Sequence, residues 1–428
     1  MAATQRIVLT GSGAICAAGR SPAEIWQALQ SGRSAIGPIA QWDTTGWSRS
    51  VAGEIRDLQP GKLLGDRKIL KFIRRSDVLG LYAASRAIET SGFAAWRDAL
   101  DEAAATEVND RTGVFVGSGG GSYDSQYDYF PLMTAAAGSL QEFGRQLPEA
   151  VNPMWLLRAL PNNVLCHVGI KYNLKGTNAC ITNHSTSGML AIIEAAGALR
   201  TAEADRAVVA AHDAPVEPQM LAYYDSVGVV ARDTLRPFDA GRDGSLLGDG
   251  AGGLVLETEA SAAARGAPLL GEFLGGGAAT EAEGLLPIRD DGEGPAAAMR
   301  AALDAAGLRP ADVGMVVAHA NGTRNSDASE AAAIYAVFGD AAPPVTGFKW
   351  AFGHLIAASG MIDCVLALEA LRTRTVPGIA TLREIDPQLP RIPVSSKTQT
   401  PRSDIALVVA RGFGGTNAAL LLRAAPAA

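Results

Sequence analysis

Nowhere in this 428-residue chain is there an uninterrupted apolar run of about 18 residues, the length a membrane helix needs, so no membrane span is expected. Cysteine is scarce. The four present, Cys16, Cys166, Cys180 and Cys364, sit among apolar neighbours without metal-ligand spacing, which reads as buried thiols in a reducing compartment. The five histidines lack ligand spacing too, so no metal and no cofactor are expected. Positive charge is in deficit, 37 Lys and Arg against 44 Asp and Glu, which argues against non-specific nucleic-acid binding. The first residues are apolar as far as Gly19 but are broken by Gly11 and Gly13 and carry only Arg6, so no secretory leader and a cytoplasmic location are expected. What remains is an ordinary globular composition, 48% hydrophobic, in a chain long enough for two or three domains.

The chain is organised around Asn178-Ala-Cys-Ile-Thr-Asn-His-Ser-Thr-Ser-Gly188. Ala179 to Thr182 reads as a buried strand, and Met189 to Leu199 as a helix that is apolar nearly all round. Ser185 lies at the junction. A hydroxyl there suits a nucleophile facing free helix N–H groups, and equally suits a plain helix cap. Elsewhere Arg6 to Thr10 reads as a strand followed by a Gly-rich turn, Gly11 to Gly19, and Ser21 with Glu24 as the capping box of a helix. That turn and Gly117 to Ser122 both lack nucleotide-loop spacing and read as tight connections. Lys62 to Arg75 is a basic stretch on an acidic chain, either a solvated helix face or a docking surface for an acidic partner. Residues 120–160 are aromatic and weakly periodic, as an inserted or dimer-facing segment would be.

After the strand Leu254 to Leu256, a polar break at Ser261 to Arg265 opens a second strand-and-helix series. The alternation favours α/β layers. The second series holds His319-Ala-Asn-Gly-Thr-Arg-Asn-Ser-Asp327 after the strand Met315 to Ala318. It also holds Lys349-Trp-Ala-Phe-Gly-His354 at the head of a helix running to Leu371, a position that favours a neutral imidazole. Arg411-Gly-Phe-Gly-Gly-Thr-Asn417 lies between two apolar strands, as a hairpin turn or as a loop whose N–H groups face an oxyanion.

Together these pieces resemble the β-ketoacyl-acyl carrier protein synthases of the thiolase superfamily. Further motifs carry the likeness: Lys175-Gly-Thr-Asn178, Arg236-Pro-Phe-Asp239, Arg242-Asp-Gly244 and Gly248-Asp-Gly-Ala-Gly252. The family's elbow cysteine is replaced by Ser185. His319 matches the first family histidine without a gap, with Gly322, Thr323 and Asp327 in register, whereas a shift onto Asn321 needs a two-residue deletion. His354 matches the second histidine and Lys349 the lysine.

The resemblance implies a thiolase-like fold, two similar α/β halves in an α-β-α-β-α sandwich, with residues 1–257 carrying the nucleophile elbow and 258–428 the histidines, lysine and Gly-rich loop. It implies acyl transfer from an acyl carrier protein to Ser185, then decarboxylative condensation with a malonyl-carrier thioester, in fatty acid or polyketide-type synthesis. Expected roles follow. His319 and His354 donate to the thioester oxygen; the N–H groups of Ser185 and Phe413, in a loop made by Gly414 and Gly415, form the oxyanion hole; Lys349 sets charge with Asp327 and Asp363 nearby. Lys71, Arg74 and Arg75 are the expected carrier-docking residues. A serine hydroxyl, unlike a thiol, needs a base in contact, and His354 and His184 are both candidates. Asn183, His184, Trp350, Arg411, His212 and Asp213 are polar or bulky where the family is small or aromatic, and are expected to crowd or polarise the acyl pocket. Two other readings stay open: a chain-length-factor-like partner of an active synthase in a heterodimer rather than a homodimer, and a malonyl-carrier decarboxylase that needs no nucleophile.

Overall fold

A computed structural model describes residues 5–120 and 129–425. Among the described residues ten strands form one sheet. The first half supplies β1 (Ile7–Cys16), β2 (Thr112–Ser118), β3 (Asn178–Ile181), β4 (Arg206–Asp213) and β5 (Gly250–Thr258). The second supplies β6 (Gly271–Thr280), β7 (Met315–Val317), β8 (Val345–Thr346), β9 (Ile405–Gly412) and β10 (Thr416–Ala424). Their order is β8-β7-β9-β10-β6-β1-β5-β4-β2-β3. Counted within its own half, each set runs third, second, fourth, fifth, first. The third, second and fourth strands are parallel to one another, and the fifth is antiparallel to both of its neighbours, in both halves. The halves join where β1 pairs antiparallel with β6, from Ile7 opposite Phe273 to Leu9 opposite Gly271.

Helices complete five layers. α1 (Arg75–Thr90) covers the outer face of the first half, and α3 (Glu293–Ala306) with α4 (Arg324–Phe338) covers that of the second. Between the two five-stranded halves of the sheet lie α2 (Ser187–Arg200) and α6 (Ser359–Arg372), packed on each other. A helix enclosed on all sides needs apolar residues on all sides. α2 buries Met189, Ile192, Ala195 and Leu199, and α6 buries Met361, Ile362, Val365 and Leu366. Each such branched or long side chain, removed from water, contributes about 1.5–3 kcal/mol. Because these helices start at the ends of β3 and, through α5 (Lys349–Phe352), β8, their N-terminal approaches meet between the halves.

Several expectations shift. Gly11 and Gly13 lie inside β1 rather than in a turn: a Cβ on Gly13 would stand 2.2 Å from the carbonyl oxygen of Ala83, so the glycine lets α1 press against the strand. Ser261 to Arg265 is no break, since a short helix covers Glu259–Ala264. The single helix expected after Lys349 is three pieces, α5, a 3₁₀ turn (Ile356–Ala358) and α6, because Gly353 at φ 87° interrupts it. Of the Gly117 to Ser122 connection, residues 121 and 122 lie outside the described residues, as does 121–128 of the 120–160 segment. The remainder of that segment forms helices with Met133, Trp155 and Leu156 exposed.

Candidate active site

Ser185 is fully buried at the elbow between β3 and α2, and it does not cap α2. No side chain caps the helix; Ser187, its first residue, instead braces the elbow, its Oγ accepting from the N–H of Asn183 (2.7 Å) and donating to the carbonyl of His184 (2.7 Å). The Ser185 hydroxyl is thereby left for longer-range partners. It lies 2.9 Å from Nδ1 of His184 and 3.1 Å from Nε2 of His354. His184 holds a left-handed φ of 48°, a strained choice for a residue with a Cβ.

His354 comes from the other half. Its backbone is clamped: its N–H donates to Leu246 O (2.6 Å), and its carbonyl accepts from the N–H of Gly248 (3.0 Å). His319 follows β7, and its ring meets that of His354 edge to face, centroids 5.0 Å apart. Both imidazoles are held well below the ordinary histidine range, by burial first and by the Lys349 ammonium second. Burial inside the fold, rather than the helix start expected from the sequence, keeps them neutral at neutral pH. The fully buried Lys349 Nζ lies 2.8 Å from Oδ2 of Asp363, also fully buried.

Asp327 is not beside Lys349. Its carboxylate accepts from the N–H groups of Phe238 (2.7 Å) and Gly322 (3.1 Å) and faces Arg242, bracing the loop after His319. The acid that supports His319 directly is Glu330, absent from the expected set. It accepts from the N–H of His319 (2.6 Å) and of Ala320 (2.9 Å). The available signal was its place one turn after Asp327 on α4.

The Gly-rich loop is the β9–β10 hairpin. Gly414 and Gly415 take φ of 79° and 68°, and Gly412 is a glycine because a Cβ there would come within 3.2 Å of the His184 Cβ and the Ser185 N. This close approach brings the N–H of Phe413 to 3.3 Å from His184 Nδ1. The Phe413 ring stacks on His184 with centroids 4.7 Å apart, and Tyr224 Oη lies 2.7 Å from His184 Nε2. Enclosure pushes the His184 pKa down to about 4. Arg411 is buried and bonded to Glu281 (2.7 Å) and Asn417 (3.1 Å), so it braces the hairpin.

A cavity of about 510 Å³ is lined by Ser185, His184, His319, His354 and Phe413, with Leu285 and Leu286 among its apolar residues. A second, of about 280 Å³, lies across the wall made by His184, Tyr224 and Phe413. Its lining is mixed: Ser118, His212, Asp213 and Glu217 stand among Ala214, Pro215, Met220 and Ile356. Burial holds the His212 imidazole below the ordinary histidine range and pushes the Asp213 pKa up to about 7. Trp350 lines neither cavity; it is core.

The basic stretch divides. Arg74 is buried, and the Arg75 guanidinium is bound to buried Asp249 at 2.8 Å and to Ile55 O at 2.6 Å, whereas Lys71 is exposed. Two of the three docking residues expected from sequence are therefore committed to the fold. Among the described residues no cluster of three or more His, Cys, Asp or Glu side chains could hold a metal, and no helix is long and apolar enough to cross a membrane.

Two halves of one topology, with a pair of enclosed helices between them and the polar residues gathered at their N-terminal approaches, define a thiolase fold. Residues 4–262 match the model for the β-ketoacyl synthase N-terminal domain and residues 270–383 that for the C-terminal domain. The chain belongs to the β-ketoacyl synthase family. It is 32% identical to nodulation protein E of Rhizobium meliloti over 98% of this chain and 99% of that one. It is 30% identical to 3-oxoacyl-[acyl-carrier-protein] synthase 2 of Coxiella burnetii, covering 98% of each. The structure of the ishigamide ketosynthase/chain length factor is similar with a TM-score of 0.87, at 29% identity, over 99% of this chain and 100% of that one.

Proposed function

We propose that this chain is a ketosynthase-type acyltransferase that accepts an acyl group from an acyl carrier protein as an oxoester on Ser185 and passes it to the enolate formed by decarboxylation of a malonyl-carrier thioester. One observation carries the reading: the Ser185 hydroxyl stands between two imidazoles, with His319 against the second, on the wall of a cavity large enough for a thioester arm. Neutral His319 and His354 would donate to the thioester oxygen where enolate charge gathers. The N–H groups of Ser185 and Phe413 would receive the oxyanion of acyl transfer. Lys349 and Asp363 would hold both rings in a fixed field.

Incubation with acyl- and malonyl-carrier protein tests this. Acylated Ser185, CO2 and a new carbon–carbon product are expected together. CO2 without acylation would replace the reading by a decarboxylase. Silence in both would favour a chain-length-factor-like subunit, a second reading supported by the ketosynthase/chain length factor relative and by the engagement of the Phe413 N–H with His184. The exposed apolar helices of residues 129–160 suit a partner subunit, identical or not. The His212, Asp213 and Glu217 side chains in the second cavity favour a short or polar acyl group, and mass spectrometry that found straight saturated long chains on Ser185 would refute that preference.

Carrier docking is assigned to the exposed Lys68 and Lys71 rather than to Arg74 and Arg75. Charge reversal at both lysines is expected to lower kcat/KM for a carrier-bound acyl donor by about tenfold at low salt, since rim charges act on encounter. The rate with a free pantetheine thioester should not change. Equal effects on both donors would remove the assignment.

A further inference from the structure

We infer that His184, a residue outside the family's Cys-His-His pattern, is the catalytic base for Ser185, and that taking up the hydroxyl proton also releases the oxyanion-hole donor of Phe413. The inference rests on the acyl transfer proposed above and names a further residue for it.

The geometry assigns each proton. A backbone N–H can only donate, so the Phe413 N–H at 3.3 Å makes His184 Nδ1 an acceptor. The neutral ring then carries its proton on Nε2, which donates to Tyr224 Oη at 2.7 Å. The single lone pair on Nδ1 is shared between the Phe413 N–H and the Ser185 hydroxyl, whose Oγ is nearer at 2.9 Å. His354 Nε2, at 3.1 Å, must carry hydrogen if it is to stabilise an enolate, so it donates to Ser185 Oγ and cannot accept from it. The hydroxyl has one proton and one acceptor left for it. A single chain results: His354 Nε2–H to Ser185 Oγ–H to His184 Nδ1, and His184 Nε2–H to Tyr224 Oη.

The step balances. Ser185 Oγ bonds to the thioester carbonyl carbon as its proton passes to His184 Nδ1. The tetrahedral adduct then collapses, the carbon–sulfur bond breaks, and the proton on Nδ1 goes to the departing sulfur, giving the carrier thiol and the Ser185 ester. While Nδ1 holds that proton it cannot accept from the Phe413 N–H. That donor is turned over to the carbonyl oxygen at the stage when the oxygen is negative. In the resting elbow the same contact occupies the oxyanion hole, so base and hole act in sequence.

The test is single-turnover acylation from acyl-carrier protein, read by intact mass, in the full-length protein. Asparagine can accept the same two hydrogen bonds through its side-chain oxygen but cannot take a proton. His184→Asn is therefore expected to fold, with a melting temperature lowered by the lost Tyr224 bond and Phe413 stacking, and to lose about 10²- to 10⁴-fold in acylation rate. In a Ser185→Cys background the same change should cost less than about tenfold, because a thiol with a pKa of about 8.5 ionises without a partner base. His354→Asn should abolish CO2 release and reduce acylation by no more than about tenfold. Wild-type acylation rates in His184→Asn, or abolished acylation in His354→Asn with His184→Asn active, would overturn the inference in favour of His354. A loss in His184→Asn that is equally large with serine and with cysteine would overturn it in favour of a structural role. A wild-type protein that is never acylated would fail the proposed function itself, before any variant is made.

Discussion

Ser185→Ala is expected to lose covalent acylation entirely while retaining release of CO2 from a malonyl-carrier thioester. The two half-reactions use different atoms. Acylation needs the Oγ between His184 and His354, and alanine has none. Decarboxylation would need only donors to the thioester oxygen, and the backbone at both histidines is held by contacts that do not involve Ser185. His354 is clamped through Leu246 and Gly248, and His319 through Glu330. Deleting Oγ also takes a hydrogen-bond donor away from His184 Nδ1, which keeps the Phe413 N–H. The elbow should therefore keep its shape, and the melting temperature should fall little. Condensation product is expected to drop by at least about 10³-fold, the scale on which removing a nucleophile acts. The Ser185→Cys change should run the other way for carbon–carbon bond formation, since a thioester is the better acyl donor to a carbon nucleophile. Residual ester formation in the alanine variant, located by peptide mapping at Thr186 or Ser187, would move the nucleophile. Loss of CO2 release together with acylation would show that the half-reactions share the hydroxyl.

The elbow, both histidines, Lys349 and the glycine hairpin are legible in sequence because each is a short run whose spacing survives translation into structure. Asn178 to Gly188 is strand, turn and helix within eleven residues, and Gly414 and Gly415 of the hairpin sit where φ is positive. What could not be read depends on pairings between distant segments. Whether Ser185 caps a helix or faces a ligand is decided by Ser187, which takes the local bonds, and by His354, which lies 169 positions away. Arg74 and Arg75 look like surface charge in a basic run, but Arg75 reaches Asp249, 174 residues further on. Asp327 and Asp363 both looked suited to Lys349. Only Asp363 pairs with it, because α6 passes beside α5, while Asp327 on α4 is turned toward Phe238 and Gly322. Trp350 looked placed to crowd a pocket because it follows the lysine, yet α5 points it into the core.

Lys349→Met is expected to cost about 3–5 kcal/mol of stability at neutral pH, the usual result of leaving one member of a buried pair without the other. Nothing near Asp363 can replace the ammonium. Its Oδ2 is the atom bonded to Lys349 at 2.8 Å, and Oδ1 has no partner among the described residues. Burial already raises the Asp363 pKa, with Lys349 opposing that rise. Without the lysine's positive charge the carboxyl is pushed further up. The sign of the pH dependence follows. Between the unfolded and folded pKa values the folded state binds more proton, so stability falls as pH rises through that window. Denaturant titrations should accordingly show a smaller penalty for Lys349→Met at pH 5 than at pH 8. Adding Asp363→Asn should recover much of the loss, because a neutral amide is cheaper to bury than an unpaired carboxylate. The same ammonium lowers the pKa of His319 and His354, second to burial in each case. In the double variant, which is the one stable enough to assay, the acid side of the CO2-release profile should therefore move to higher pH as both rings protonate sooner. A double variant with restored stability and an unshifted profile would assign Lys349 to the fold alone. A shifted profile would place it in the electrostatics of the two histidines.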